Sequence, residues 1–266
     1  MSGVPLRDAV WAALDTVLDP ELDEPITSLE FVKSCTVSNE PDGSGVVATV
    51  RLRLPTFFCS PNFSWLMVAD AHDAVSAVPG VTRADIALED HFVSEVINQG
   101  VAARSGFVAA FPGEAVEELD DLRASFIRKA ALAGQERVAR PLVNAGATPE
   151  ELAEKRLGQL PPSRDLDRLR ARRAELGLPA GDAAPLLVDV TTGAPVQPDE
   201  LPRHLGRARL TRVSLEANGG VCRGMLRGRY GDSPGRGEVP DEGGTFIPLA
   251  LLTADPSVNA DRETDR

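Results

Sequence analysis

Val46-Val47-Ala48-Thr49-Val50-Arg51-Leu52-Arg53-Leu54 alternates without a break. Val46, Ala48, Val50, Leu52 and Leu54 share one face, and Val47, Thr49, Arg51 and Arg53 share the other, because successive side chains of a strand point to opposite sides. Just before it, Pro41-Asp42-Gly43-Ser44-Gly45 has the composition of a hairpin turn, and residues 29–38 (LEFVKSCTVS) read as the partner strand. Just after it, the loop Pro55-Thr56-Phe57-Phe58-Cys59-Ser60-Pro61 leads into a helix over 62–78, which Pro79-Gly80 ends. Val81 to Leu88 supplies a third strand. Upstream, Leu6, Val10, Leu14, Val17 and Leu18 recur at helical spacing behind Pro5, so 5–18 reads as an amphipathic helix stopped by Asp19-Pro20-Glu21. Helix, strand, strand, helix, strand makes an α+β layer of about 90 residues, with helices on one face of a sheet.

Beyond Asp90 the texture changes. Residues 92–104, 114–140, 148–157 and 163–176 read as helices, punctuated by Pro112-Gly113, Asn144-Ala145-Gly146 and Pro161-Pro162. From Pro185 short β segments are expected: LLVDV, then 207–216, then 221–230 after the apparent turn Asn218-Gly219-Gly220. The stretch 231–244 (GDSPGRGEVPDEGG) has linker composition. The chain therefore divides into an α+β domain at 1–92, a helical extension at 93–180, a small β-rich unit at 181–252 and a disordered tail at 253–266. Within 114–140, Val116, Leu119, Leu122, Phe126 and Ile127 bury a core or present a groove to a partner.

The net charge of -12 over 266 residues excludes a protein that coats nucleic acid with its whole surface. That charge is unevenly spread: residues 1–95 carry -10, 96–180 carry +1 and 181–266 carry -3. Inside the last third, Arg203, Arg207, Arg209, Arg212, Arg223, Arg227 and Arg229 are offset only by Glu216. This stretch reads as a solvated face or as an intramolecular complement to the acidic N-terminal third. A nucleic-acid contact would need more interleaved aromatics than Tyr230. No apolar run approaches a membrane span, the start lacks a signal-peptide layout, and three cysteines cannot build a paired framework, so a reduced cytoplasmic setting is expected.

Cys59 is the position richest in chemistry. It precedes a helix opened by Ser60, Pro61 and Asn62. A thiol near a helix N-terminus feels the dipole and the free N–H groups, which favours the thiolate that binds metal or sulfide. The alternative is a small hydrophobe closing a loop. Cys35 reads as core, and Cys222 carries no assigned role. Oxygen and nitrogen donors form a competing design: His91 and Glu95 lie four apart, on one face if a helix begins there, and Asp70, His72 and Asp73 form a second acid–histidine group. Either group also reads as a solvated helix face. His204 stands alone and reads as structural or exposed. A Cys–His hydrolase would need Cys59 beside His72 or His91. No phosphate-binding G-x-x-x-x-G-K-[ST] occurs.

Three stretches in this order resemble the SufT/PaaD-type iron–sulfur assembly domains over residues ~5–92. Asp19-Pro20-Glu21 with Pro25-Ile26-Thr27-Ser28-Leu29-Glu30-Phe31-Val32 is similar to their "DPE…DLGLV" opening. Leu54-Pro55-Thr56-Phe57-Phe58-Cys59-Ser60 resembles their strand-to-helix loop with its single Thr and Cys, and Val78-Pro79-Gly80-Val81-Thr82-Arg83-Ala84-Asp85-Ile86 their "LPGVxxVxV" strand entry. The resemblance implies a non-catalytic maturation factor that assembles or delivers iron–sulfur clusters or iron. It implies a cofactor-binding site at Cys59, Thr56, Asp19 and Glu21, with Cys59 the metal-associated cysteine. It also implies a client metalloprotein such as a multicomponent diiron oxygenase. One thiolate cannot hold a cluster that generally takes about four cysteine ligands, so the cargo would be transient, shared or bridged across a homodimer. A metal-free chaperone or scaffold for an oxygenase complex, and a Cys-dependent enzyme, remain alternatives. Two departures stand out: Glu30 replaces the usual Gly, and Phe57-Phe58 replaces Pro or Gly, which narrows the pocket or substitutes apolar packing for backbone ligation.

Overall fold

The computed structural model describes residues 5–115 and 117–231. Its first element, α1 (Leu6–Leu14), is followed by two short paired strands, β1 (Leu18–Asp19) and β2 (Glu24–Pro25). The expected helix over 5–18 is thus shorter: Val17 and Leu18 leave it, and Ile26 donates its N–H to the Val17 carbonyl at 2.9 Å. Next come β3 (Val32–Asn39), β4 (Val46–Leu52), α2 (Pro61–Ser76) and β5 (Arg83–Leu88). β3 and β4 form the expected hairpin, with Cys35 opposite Val50, and β4 pairs in parallel with β5 across the α2 crossover. The class is α+β, in the expected element order. Val50, Leu52 and Ala48 are buried along with Leu14, Val68, Ala71 and Val75 of the helices, so the alternating face of β4 does pack under α1 and α2.

The later chain is helical: α3 (Ser94–Ala102), α4 (Phe107–Ala110), α5 (Asp120–Asn144), α6 (Pro149–Glu154), α7 (Arg164–Glu175) and α8 (Leu201–Tyr230), with a 3-10 turn at Leu157–Gln159. Val116 and the expected linker and tail from residue 232 onward lie outside the described residues. α4 and α3 extend the first core through Phe107, Phe111, Val101 and Trp65. A second core forms among Ala139, Leu152, Leu157, Leu166, Leu169, Leu186, Leu187 and Leu201.

The β reading of 207–216 and 221–230 is corrected, since both lie within the 30 residues of α8. Its inward face runs His204, Ala208, Arg212, Leu215, Gly219, Leu226, which is helical spacing with polar and small residues in apolar positions. Gly219 is not a turn; a Cβ there would sit 2.8 Å from Glu24 Oε1, so the glycine lets α8 approach β2. The expected strand at LLVDV is corrected too. Leu186, Leu187 and Val188 are buried, but only isolated bridges form, Arg156 with Pro185 and Val188 with Pro195. Side chains take the place of a neighbouring strand: Gln135 both donates to the Val188 carbonyl (3.1 Å) and accepts its N–H (2.7 Å). The fully buried Arg173, its proton affinity lowered to about 10 by burial and then by Arg170, donates to the Pro185 and Leu186 carbonyls. Buried backbone polar groups must be paired, and here they are paired without a sheet.

Candidate functional site

The loop after β4 is tied down at both ends. Arg53 N–H donates to the Phe31 carbonyl at 2.9 Å, and Phe92 N–H to the Phe57 carbonyl at 3.0 Å. At its far end Ser60 occupies the N-cap position of α2 without a side-chain capping bond, and Pro61 opens the first turn, where a missing N–H costs nothing. Cys59 therefore sits two residues before the first residue of α2, half-buried, with the Thr56 hydroxyl 3.2 Å from its sulfur. His91 fixes the same loop from behind: Nε2 is 2.7 Å from the Cys59 carbonyl, and Nδ1 lies 3.4 Å from the Val93 N–H. A carbonyl accepts only from a protonated nitrogen, so both contacts together specify the neutral Nε2–H tautomer. Burial lowers the proton affinity of His91, in keeping with that neutral form.

α3 begins at Ser94, so His91 precedes the helix and the premise that His91 and Glu95 share a helical face does not hold. Glu95 is exposed and accepts from Gln99 at 3.2 Å. The second acid–histidine group is dispersed as well. Asp70 takes a two-pronged contact from Arg123 (2.7 Å each), whereas His72 and Arg104 both lean toward Asp73. Among the described residues, no group of three or more His, Cys, Asp or Glu is arranged to hold a metal ion. His204 is buried, not exposed, and burial followed by Arg207 lowers its proton affinity.

The turn between β1 and β2 carries the two acidic candidates. Asp19 Oδ1 accepts the N–H groups of Glu21 (2.9 Å) and Leu22 (2.8 Å), which locks the turn, and the side chain is buried. Burial raises the Asp19 carboxyl to about 6 despite those two donors. Glu21 is half-buried beside it. Glu30 adopts φ +64, the left-handed conformation that glycine tolerates best, at the position where the resembled pattern has Gly. The exchange brings a partner: Arg227 of α8 reaches Glu30 at 2.6 Å and holds its carboxyl below the usual range. Phe57 and Phe58 do not narrow a pocket. They are 48% and 74% exposed, and Phe57 meets Phe92 on the surface at 6.3 Å.

The third wall was missed by sequence reasoning. The last turns of α8 run across both segments: Arg223 pairs with Glu24 (2.6 Å), Arg229 with Asp90 (2.6 Å), and Arg229 also donates to the Leu54 carbonyl (3.3 Å). Tyr230 donates to Asp90 Oδ2 at 2.6 Å while the Arg53 guanidinium stacks on its ring at 4.5 Å. The arginine-rich stretch is, over these residues, an intramolecular complement to the acidic third. Tyr230→Phe is expected to cost about 1 kcal/mol, the worth of one partly exposed hydrogen bond to a carboxylate, read as a lowered melting temperature. Cys222 lies on the same helix and, like Cys59, packs against the first core. Burial, then the negative charges of Asp19, Cys59 and Glu21, push its thiol up to about 11.

With this geometry in view, the comparison with known families is decisive for the N-terminal layer. Residues 7–86 match the family described as iron-sulfur cluster assembly protein. No curated protein matches the chain, and no solved structure does. The match ends within β5, so it takes in Asp19, Glu21, Thr56 and Cys59 but neither His91 nor any part of α8. A general role in iron–sulfur cluster assembly follows from the family, and the resemblance read over ~5–92 stands. Among the described residues, no helix is long and apolar enough to cross a membrane.

Proposed function

We propose that the protein is a non-catalytic maturation factor that takes up iron or an iron–sulfur cluster at Cys59 and passes it to a client metalloprotein in the cytoplasm. The observation that carries this reading is the placement of Cys59 inside the family-matched segment, half-buried at the start of α2, with the Thr56 hydroxyl 3.2 Å from its sulfur. Free N–H groups at a helix start favour negative charge or a metal-bound sulfur there. His91, with both ring nitrogens engaged, acts by positioning the loop and leaves the sulfur free. A stable cluster generally wants about four cysteine ligands. One thiolate with few neighbours thus favours a cargo held briefly, or shared across a homodimer. A component of a diiron oxygenase is the client class that the SufT/PaaD resemblance suggests, and the exposed Phe57 and Phe58 beside the thiol offer an apolar contact for it.

The test is anaerobic reconstitution with iron and sulfide. Wild type is expected to gain visible sulfur-to-iron charge-transfer absorption and bound iron, and Cys59→Ala to fall to background, while Cys35→Ala, altered in the buried face of β3, retains both. Equal and negligible iron in wild type and Cys59→Ala overturns the carrier reading in favour of a metal-free scaffold. Turnover of a thiol-reactive substrate lost only in Cys59→Ala would favour an enzyme.

A further inference from the structure

The nine phenylalanines divide sharply by position. Phe31, Phe107, Phe111 and Phe126 are buried, and Phe63 packs against the first core. Phe57, Phe58 and Phe92 are 48%, 74% and 50% exposed, and all three belong to the Cys59 loop or to the segment hydrogen-bonded to it. The rings of Phe57 and Phe92 meet at 6.3 Å, and Phe92 N–H holds the Phe57 carbonyl at 3.0 Å. Large apolar side chains gathered on a surface mark a place where something docks. α8 delivers the rest of the chain to this spot. Tyr230 donates to Asp90 Oδ2 at 2.6 Å and Arg229 to the Asp90 carbonyl at 3.1 Å. Asp90 is two residues from Phe92, at most about 7 Å of chain. The ninth phenylalanine, Phe246, lies in the sequence that follows. Phe246-Ile247-Pro248-Leu249-Ala250-Leu251-Leu252 carries no charge, whereas residues 232–244 and 253–266 around it hold eight acidic and three basic residues, so within that sequence this run is the part suited to leave water.

We propose that residues 246–252 fold back onto the surface of Phe57, Phe58 and Phe92 and shield Cys59 beside it. Fourteen residues separate Gly231 from Phe246. A glycine-rich chain of that length spans about 20 Å r.m.s., so it bridges from the end of α8 to the phenylalanines without being stretched. A segment so tethered is held near its site at on the order of 1 mM. A second copy of the chain brings the same run only at its bulk concentration, which makes the protein's own segment the favoured occupant. The docking needs no metal. Its use rests on the proposed reading of Cys59 as the place of uptake: the segment takes the apolar contact offered to a client, so a client that binds Phe57 and Phe58 displaces it and uncovers the sulfur.

The test follows alkylation of each cysteine in the reduced full chain by mass spectrometry, with Cys35 as the internal reference. Leu249→Asp with Leu251→Asp changes positions outside the described residues. It is expected to speed alkylation of Cys59 about tenfold, the protection given by a segment about nine-tenths bound at such an effective concentration, and to leave Cys35 unchanged. Phe58→Gln alters a side chain that is mostly in water. It should speed Cys59 similarly in the otherwise wild-type chain and add little to the double leucine variant, because both changes break one contact. Dilution should leave the wild-type rate as it is. An unchanged Cys59 rate in the double leucine variant overturns the docking. Protection that fades on dilution overturns the intramolecular occupant and gives the surface to a second copy. Iron uptake is read separately on the same proteins. Faster uptake by the double leucine variant than by wild type supports the shield, and equal uptake overturns it. No uptake by either, with the alkylation rates as expected, removes the carrier reading and leaves the docked segment standing.

Discussion

Arg212→Ala is expected to destabilise the protein by about 3–5 kcal/mol, the usual consequence of leaving one charge of a buried pair unmatched. Arg212 and Glu136 are both buried, with Arg212 Nε 2.5 Å from Glu136 Oε2, and Arg212 also reaches Glu216 at 2.5 Å. Glu216 is half-exposed and keeps Arg137 as a second partner at 3.7 Å, so it tolerates the loss. Among the described residues Glu136 pairs with no other cation, so the loss would leave it uncompensated in the α5–α8 interface. Urea unfolding at pH 7 checks the figure. The double variant Arg212→Met with Glu136→Met should recover most of the loss, because apolar side chains of similar volume avoid desolvating two ions. Failure of that rescue would mean that the pair sets the register of α8 rather than merely neutralising itself. Register matters here: a slipped α8 would displace Cys222, Arg223 and Arg229 from the segments they meet.

How much of this was legible depends on which signal a residue carries. The period-two run at 46–54, the turn at 41–45 and the helix-breaking Pro79-Gly80 each pointed to the observed hairpin and crossover, since local pattern and tertiary burial agree there. α8 was illegible because its inward positions hold His204, Arg212 and Gly219, residues that normally face solvent or turns, and Arg212 and Gly219 meet Glu136 and Glu24, partners distant in sequence. Leu186 to Val188 misled for the opposite reason. The apolar run is buried as a strand would be, but Gln135 and Arg173 satisfy its backbone. At the site, Cys59 and Thr56 could be read together, three residues apart on one loop. His91 was read as a ligand candidate when its ring in fact holds the loop.

Asp19→Asn is expected to make the protein more stable at neutral pH by about 3 kcal/mol, and no more stable below pH 4. Asp19 Oδ1 accepts both backbone N–H groups of the turn, and an amide oxygen can accept the same two, so the turn geometry survives the change. What the change removes is an ionisable carboxyl whose burial raises it from 3.8 to about 6. The folded state holds that proton more tightly than the unfolded chain does. The contribution of Asp19 to stability is therefore complete below pH 3.8 and is lost as pH rises through about 6, leaving an ionised, poorly solvated carboxylate above it. Other carboxylates, Glu30 and Asp189 among them, shift the opposite way, so the pH dependence of the difference between variant and wild type isolates this residue. Stability measured by urea at pH 4 and pH 7.5 gives that difference, and an equal offset at both would refute the assignment. Paired with metal uptake, the same variant separates two meanings of the buried charge. A more stable protein that no longer takes up iron would show that the folded state tolerates the Asp19 carboxylate because cargo uptake needs that charge. A more stable protein with unchanged uptake would confine Asp19 to holding the turn.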